Sequence, residues 1–276
     1  MVKSMLSPAL PWRCVSSSGR RIAPGVEILP GGAALLTEEN VVVVADMHLG
    51  VEATLEYEGL SIPRVQTRKI ESYMADVIRA VSPSRVIVAG DLKHNFSRNL
   101  VQEWEDIRRF VKGLSGKTTL EVIKGNHDNY LASILSEHDV PLKSETVASG
   151  VRILHGHAGQ LDDRFTIIGH IHPSLRLKDS VGASIKDRCF LYGRKERVLV
   201  LPALSLAAYG TDVVGQFSAD HMSPLLSERG LSGFTPIMFS DETPLRFPTV
   251  GALREEHGVQ FSRLESRGRV RRRRND

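Results

Sequence analysis

The chain has 276 residues, 41% hydrophobic and 25% charged, the balance of a soluble globular protein, and no run of 18 apolar residues that could form a membrane-spanning helix. The net charge of +4 is unevenly placed, because residues 267–276 carry six Arg and one Asp, which leaves the rest of the chain at about −1 and excludes a globally basic body. Such a run reads first as a solvated end and second as a phosphate-binding arm for nucleic acid.

Cys14 and Cys189 lack metal-type spacing and read as free thiols of a reducing cytoplasm, with a disulfide left open. Residues 1–11 form too short and too Pro-broken a stretch for a signal peptide, so a cytoplasmic protein is expected.

In chain order, residues 26–29 and 33–36 flank Pro30-Gly31-Gly32 and predict a hairpin. Residues 41–45, Val-Val-Val-Val-Ala, predict a buried strand ending at Asp46-Met47-His48. After Pro63, the residues Ile70, Tyr73, Met74, Val77, Ile78 and Val81 fall on one helical face, which Ser82-Pro83 stops. A strand over 86–89 runs into Gly90-Asp91. A second helix shows Leu100, Trp104, Ile107, Val111 and Leu114 on one face. The strand over 120–124 leads to Gly125-Asn126-His127-Asp128, and a short helix covers 130–136. This alternation predicts an α/β core, largely parallel in its first half. After Val147 come short strands at 151–154, 166–168, 189–192 and 198–201, which predict a second, more antiparallel sheet. Beyond Pro202, residues 223–226 and 233–239 read as loop and strand pieces packed on that sheet. No repeat or second domain is evident. The expected organisation is one domain over 1–262 and a basic tail over 263–276.

Five of these strands end in polar motifs: Asp46-Met47-His48, Gly90-Asp91, Gly125-Asn126-His127-Asp128, His155-Gly156-His157 and Gly169-His170-Ile171-His172. Functional groups of sheet proteins gather at strand ends, so strands sharing one edge would bring these His, Asp and Asn side chains together. Seven of the ten His lie in or beside the motifs. A lone His is more often packed or solvated than functional, and His138, His221 and His257 are read that way. His157 stands between a supporting contact and simple packing.

The order D-x-H, G-D, G-N-H-D, H-G, G-H-x-H resembles that of the calcineurin-like metallophosphoesterases. The Ala-Asp-Met-His-Leu-Gly and Gly-Asp-Leu-Lys-His segments look closest to archaeal and bacterial members related to the SbcD nucleases, including a branch associated with DNA ligase and helicase genes. The resemblance covers roughly residues 22–226 and implies a two-sheet sandwich flanked by helices, a four-layer αββα arrangement. It implies two divalent ions, one held by Asp46, His48, Asp91 and His172, the other by Asp91, Asn126, His155 and His170, with Asp91 as the bridge. Bridged ions stand about 3.5–4 Å apart. Positions i and i+2 of an extended segment point the same way, so Asp46 and His48 are expected to grip one ion, and His170 and His172 to share a direction toward adjacent ions. A mixed imidazole, carboxylate and amide set suits Mn²⁺, with iron, Zn²⁺ or Ni²⁺ as alternatives. By the same resemblance His127 stabilises the transition state or protonates the leaving oxygen while a metal-bridging hydroxide attacks. Asp128 beside it is expected to orient its imidazole. His94 stands where many members carry an acidic residue and suits the nuclease branch, so it is placed at the edge of the site.

The reading that follows is a binuclear phosphodiesterase acting on nucleic acid or a nucleotide. A phosphomonoesterase for a small metabolite or phosphoprotein would use the same metal core and differ in its substrate walls. A non-catalytic binding module would have lost ligands or His127, and this chain keeps them. A nucleic-acid-binding module working through its tail would be separated from the first reading by deleting the tail.

Overall fold

A computed structural model describes residues 19–96, 100–178, 184–208, 210–215, 223–226 and 230–256. Cys14, His221, His257 and the Arg-rich segment 263–276 lie outside the described residues. With elements numbered in chain order, β1 (Arg20–Ala23), β2 (Val26–Ile28), β3 (Ala34–Leu36) and β4 (Val41–Val44) pair antiparallel in sequence. The chain passes through α1 (Val51–Tyr57) and α2 (Gln66–Val81) to β5 (Arg85–Ala89), which lies parallel to β4. It continues through α3 (Val101–Ser115) to β6 (Thr119–Ile123), and through α4 (Ala132–Ser136) to β7 (Leu142–Lys143), both parallel additions. The expected hairpin is present, with Val26 opposite Leu36. The helix-connected half of the sheet is parallel, because a crossover helix returns the chain to the same end.

The second sheet uses β8 (Glu145–Ala148), β9 (Val151–Leu154), β10 (Thr166–Ile168), β13 (Phe190–Gly193), β14 (Val198–Val200), β16 (Thr235–Ser240) and β17 (Thr243–Arg246). Their order is β17-β16-β13-β14-β10-β9-β8. Only the β9–β10 and β10–β14 pairs are parallel; the other four are antiparallel. A small third sheet joins β11 (Pro173–Lys178), β12 (Ser184–Arg188) and β15 (Thr211–Asp212).

Alternation along the strands builds the layers. Val42, Val44, Val86 and Val88 pack toward Ile70, Met74, Phe110 and Val111 of α2 and α3. Val41, Val43, Ile87 and Ala89 face the other way, onto Ile153, Ile167, Leu199 and Ile237 of the second sheet. Ile168, Val198 and Val200 point out of that sheet and are covered by Leu175 of β11 and by Val250 and Leu253 of α5 (Val250–Glu256). The order is therefore helices, sheet, sheet, and an outer layer of α5 with the small sheet. Among the described residues no helix is long and apolar enough to cross a membrane.

Two local readings change. The buried face of α3 is Glu103, Asp106, Ile107, Phe110, Val111 and Leu114, and Trp104 is only half-buried beneath the Arg108 guanidinium, 5.5 Å from its ring centre. Glu103 is drawn inward by an ion pair with Lys93 at 3.3 Å, both side chains being buried. The pairing of β11 with β12 was not expected, because the apolar alternation of β11 is only Leu175 and Leu177 and the Ser-Ile-Lys-Asp-Arg of β12 is polar and mostly exposed.

Candidate metal centre

The strands β4, β5, β6, β9 and β10 end on one edge of the sandwich, and each continues into one of the five motifs. Beyond the regular strands the first two loops stay paired: Asp46 N–H donates to the Gly90 carbonyl at 3.0 Å and His48 N–H to the Asp91 carbonyl at 2.9 Å. The backbone there is not extended. Asp46, His48, Asp91, His170 and His172 have φ of 54°, 46°, 51°, 68° and 48°, all left-handed. Asp and His tolerate this region better than most side chains, yet each such residue costs on the order of 1–3 kcal/mol. Asp46 and His48 therefore converge through alternate left-handed residues, not through the i, i+2 rule of a strand. The expected shared direction of His170 and His172 is corrected for the same reason: with left-handed backbones they diverge, the first ring 5.0 Å from His155 and the second 5.0 Å from His48.

The motif glycines make room. A Cβ on Gly90, which has φ 88°, would sit 2.2 Å from Nδ1 of His155. A Cβ on Gly125 would sit 2.1 Å from Oδ1 of Asp91. In each case the glycine of one motif admits the side chain of another.

Asp46, His48, Asp91 and His172 offer ligand atoms that all lie within 4.8 Å of one another. His48 Nε2 stands 3.3 Å from His172 Nε2 and 3.7 Å from Asp91 Oδ2, and His172 Nε2 stands 3.4 Å from Asp46 Oδ1. Two imidazole nitrogens and two carboxylates aimed at one point are a set of electron-pair donors that fits a divalent cation. A second group adjoins it. His155 Nε2 lies 3.3 Å from Asp91 Oδ2 and 3.1 Å from Asn126 Oδ1. His155 Nδ1–H donates to the Ala89 carbonyl at 3.0 Å, which fixes the tautomer and leaves Nε2 for the site. Asp91 is thus shared by two clusters of rings: His48, His94, His127 and His172 on one side, His155, His157 and His170 on the other.

Burial and charge set the protonation states. Burial, then the neighbouring His172, holds His48 well below the usual imidazole value. Burial takes His94 and His170 down to about 4, with His127 and His155 as the next causes. These rings are neutral near pH 7, the form that binds a metal. At His155 burial works downward, but the hydrogen bond to Asp91 and the charges of Asp46 and Asp91 prevail and raise it to about 9. At Asp91 burial works upward, and is outweighed by the His155 hydrogen bond and the surrounding imidazoles, so its carboxyl stays well below the usual range.

His94 and His127 both flank His48, with ring centres 5.3 Å and 5.0 Å from it. His127 Nδ1–H donates to the His94 carbonyl, and its Nε2 faces Asp91 Oδ2 at 4.0 Å. The expected orientation of His127 by Asp128 is therefore corrected: a main-chain carbonyl of the neighbouring loop does it. The buried Asp128 carboxylate instead accepts the N–H groups of Asp91 (2.9 Å), Lys93 (3.0 Å) and Gly125 (2.8 Å), stitching two motif loops together. Burial, then the Asp91 charge, raises it to about 6. His157 is exposed, its ring centre 5.2 Å from that of His155.

Two supporting residues are not visible as motifs. Gln66, at the start of α2, donates to the His48 carbonyl at 3.0 Å and accepts from Ser205 Oγ, Leu206 N and Ala207 N, each at 3.0 Å. Ser205 N–H in turn donates to the Asp46 carbonyl at 3.0 Å. Glu103 Oε1 accepts the N–H groups of His94 (3.2 Å) and Asn95 (2.7 Å). The burial of Glu103 shows only in the structure, where its carboxylate finds the partners that a buried charge needs.

Comparison with solved structures returns the nuclease MPE of Pseudomonas putida, which aligns at TM-score 0.58 and 17% identity over 80% of this chain and 94% of its own. The phosphoesterase Yfce of E. coli aligns at TM-score 0.32 and 14% identity, over 60% of this chain and 80% of its own, a likeness too weak to argue from. The first likeness establishes a shared fold. A comparison with curated proteins finds no match. Residues 39–185, more than half of the sequence and the span that holds all five motifs, match the profile of the calcineurin-like phosphoesterases. The chain belongs to the calcineurin-like phosphoesterase family.

Proposed function

We propose that the protein is a binuclear metal-dependent phosphodiesterase acting on nucleic acid or a nucleotide. The observation that carries this reading is Asp91, whose carboxylate lies between two clusters of imidazoles. Asp46, His48, Asp91 and His172 would hold one ion, and Asp91, Asn126, His155 and His170 the other. The donor set favours Mn²⁺. Two such ions would supply a water nucleophile at neutral pH and neutralise the charge that develops on the phosphoryl oxygens. The reading takes the two sheets as one domain, since each supplies ligands the other lacks.

The remaining chemistry falls to the chain. Nδ1 of His127 is held by the His94 carbonyl, so Nε2 is the nitrogen free to meet the substrate. From there it would donate a proton to the leaving oxygen, the role of a general acid. His94 adds a neutral imidazole beside His48 and His127, where a carboxylate would repel a phosphate. The Pseudomonas putida protein of the same fold is a nuclease, which agrees with the diester reading.

The test is a Mn²⁺-dependent screen of a monoester, a diester, a cyclic nucleotide and single-stranded DNA, with metal analysis of the purified protein. The expected result is cleavage of diesters and close to two ions per chain. Asp91→Asn should lose more metal and more activity than Asn126→Ala. Full activity in Asp91→Asn would remove the two-metal mechanism, and cleavage of the monoester alone would remove the diesterase reading.

A further inference from the structure

We propose that Phe96 is a stacking surface for the base on the leaving side of the scissile bond, so that the substrate is a phosphodiester carrying a nucleobase beside that bond. This rests on the diesterase reading above. The Phe96 side chain is 56% exposed, and its ring centre lies 6.1 Å from that of His127 at an interplanar angle of 82°. A single exposed apolar residue is ordinary on a protein surface and means nothing alone. The setting of this one is not ordinary.

The loop that carries it is pinned from several directions. Glu103 accepts the N–H groups of His94 and Asn95. Lys93 Nζ donates to the Asn95 carbonyl, and Asn95 Nδ2 donates to Thr54 Oγ1 at 3.4 Å. From the other motif loop, Asn129 Nδ2 donates to the carbonyl of Phe96 itself at 3.1 Å. A backbone fixed in this way loses little further entropy when its exposed ring meets a ligand. The next residue of that second loop, Tyr130, is 65% exposed with a left-handed φ of 65°, so the same pair of loops presents a second aromatic side chain.

Position says which part of a substrate arrives there. His127 Nε2 faces the Asp91 carboxylate, and as the proton donor it marks the side of the leaving oxygen. Phe96 lies one ring further out, where the base of a leaving nucleoside comes after its sugar. Hydrolysis adds the oxygen of water to phosphorus and breaks the bond to the leaving oxygen. That oxygen takes the His127 proton and departs as the hydroxyl of the leaving fragment. A base stacked on Phe96 holds this fragment in line. Aromatic side chains beside a phosphate track are a sequence-tolerant means of binding single strands, because every base offers a π-face. A small aliphatic phosphoester has no flat group to place there.

The experiment compares kcat/KM of the Mn²⁺-loaded full-length protein on two single-stranded oligonucleotides of equal length and charge, one with all its bases and one abasic at its central nucleotides. Phe96→Ala should lose roughly 5- to 150-fold on the first, the size of one lost base stack, and change little on the second. Phe96→Trp should keep the preference for the base-bearing strand. Phe96→Leu, which keeps bulk without an aromatic face, should lose most of it, and this variant serves if the alanine protein fails to fold. An equal loss on both strands would assign Phe96 to the fold or to His127 and overturn the proposal, as would no loss on either. A wild type that cleaves a small diester but treats the two strands alike overturns the stacking surface and leaves the diesterase standing. A wild type that cleaves only monoesters removes both.

Discussion

His127 and Asp128 are neighbours in sequence with different connections, and substitution should separate them. The imidazole faces the Asp91 carboxylate, and the Asp128 carboxylate is taken up by three backbone N–H groups. His127→Ala should keep its metal and lose roughly 10²–10⁴-fold in turnover, the scale of general acid–base catalysis. Asp128→Asn places an amide among donors that need an acceptor, so the loops of Asp91 and Gly125 should part and metal content should fall first. Metal analysis beside single-turnover rates distinguishes the two, and an Asp128→Asn protein with full metal and a His127-like rate would return Asp128 to the chemistry. The meeting of the five motifs was legible as a condition, because each follows a short run that reads as a strand and strands sharing one edge would bring them together. The duty of Asp128 was not, because its partners Asp91 and Lys93 lie 37 and 35 positions away and contribute only backbone, which carries no residue signature.

At the scale of elements, the start of α2 is a bracket. Gln66 joins the carbonyl of His48 to the 205–207 loop, and Glu52 Oε1 caps the same helix end by accepting the N–H groups of Val65 and Gln66. Gln66→Ala should leave the half-buried Leu206 and Ala207 N–H groups unpaired, at about 1–3 kcal/mol for each group that water does not reach, and the His48 carbonyl with the Val51 N–H at 3.3 Å as its remaining donor. Gln66→Glu keeps the acceptor and loses the donor. It should therefore recover part of the thermal stability while metal affinity stays low, because a carboxylate oxygen now faces the His48 carbonyl in place of a donor. Full metal affinity in Gln66→Ala would show that His48 is held without the bracket. The helix itself was readable from its apolar spacing, since Ile70, Tyr73, Met74 and Val77 are all buried. Its bracket was not, because one glutamine at a helix start looks like any polar surface residue. On α3 the apolar face holds at Ile107, Val111 and Leu114, with Trp104 packed at its edge, but periodicity assigns charge to solvent and cannot foresee that Lys93 meets Glu103 inside.

Across the whole molecule, the two sheets divide the labour. The parallel half of the first sheet brings three motifs and the parallel pair β9–β10 of the second brings two, so neither sheet has a complete site. The second sheet was legible from the change of pattern after Val147; the four-layer stacking came only with the family resemblance, because periodicity does not say which faces meet, and the small third sheet in the outer layer was not foreseen. Charge is divided as unevenly, with six Arg in residues 267–276 and a body near −1. Those residues lie outside the described part, and their effect follows from charge alone. Truncation after Leu264 should weaken binding to single-stranded nucleic acid and flatten its salt slope by up to about 4, at about 0.7 per neutralised phosphate. Hydrolysis of a small diester should not change, since that substrate is too short to reach from site to tail. Equal nucleic-acid affinity with and without the tail would make it a solvated end.

The left-handed residues Asp46, His48, Asp91, His170 and His172 set activity against thermal stability. Glycine adopts their backbone without the steric penalty, at a smaller cost in chain entropy, so a descendant that let these positions drift to glycine would relax its loops as it lost its chemistry. Among relatives sharing this scaffold, heat resistance and catalytic competence should then trade against each other, and the hardiest forms would be the inert ones.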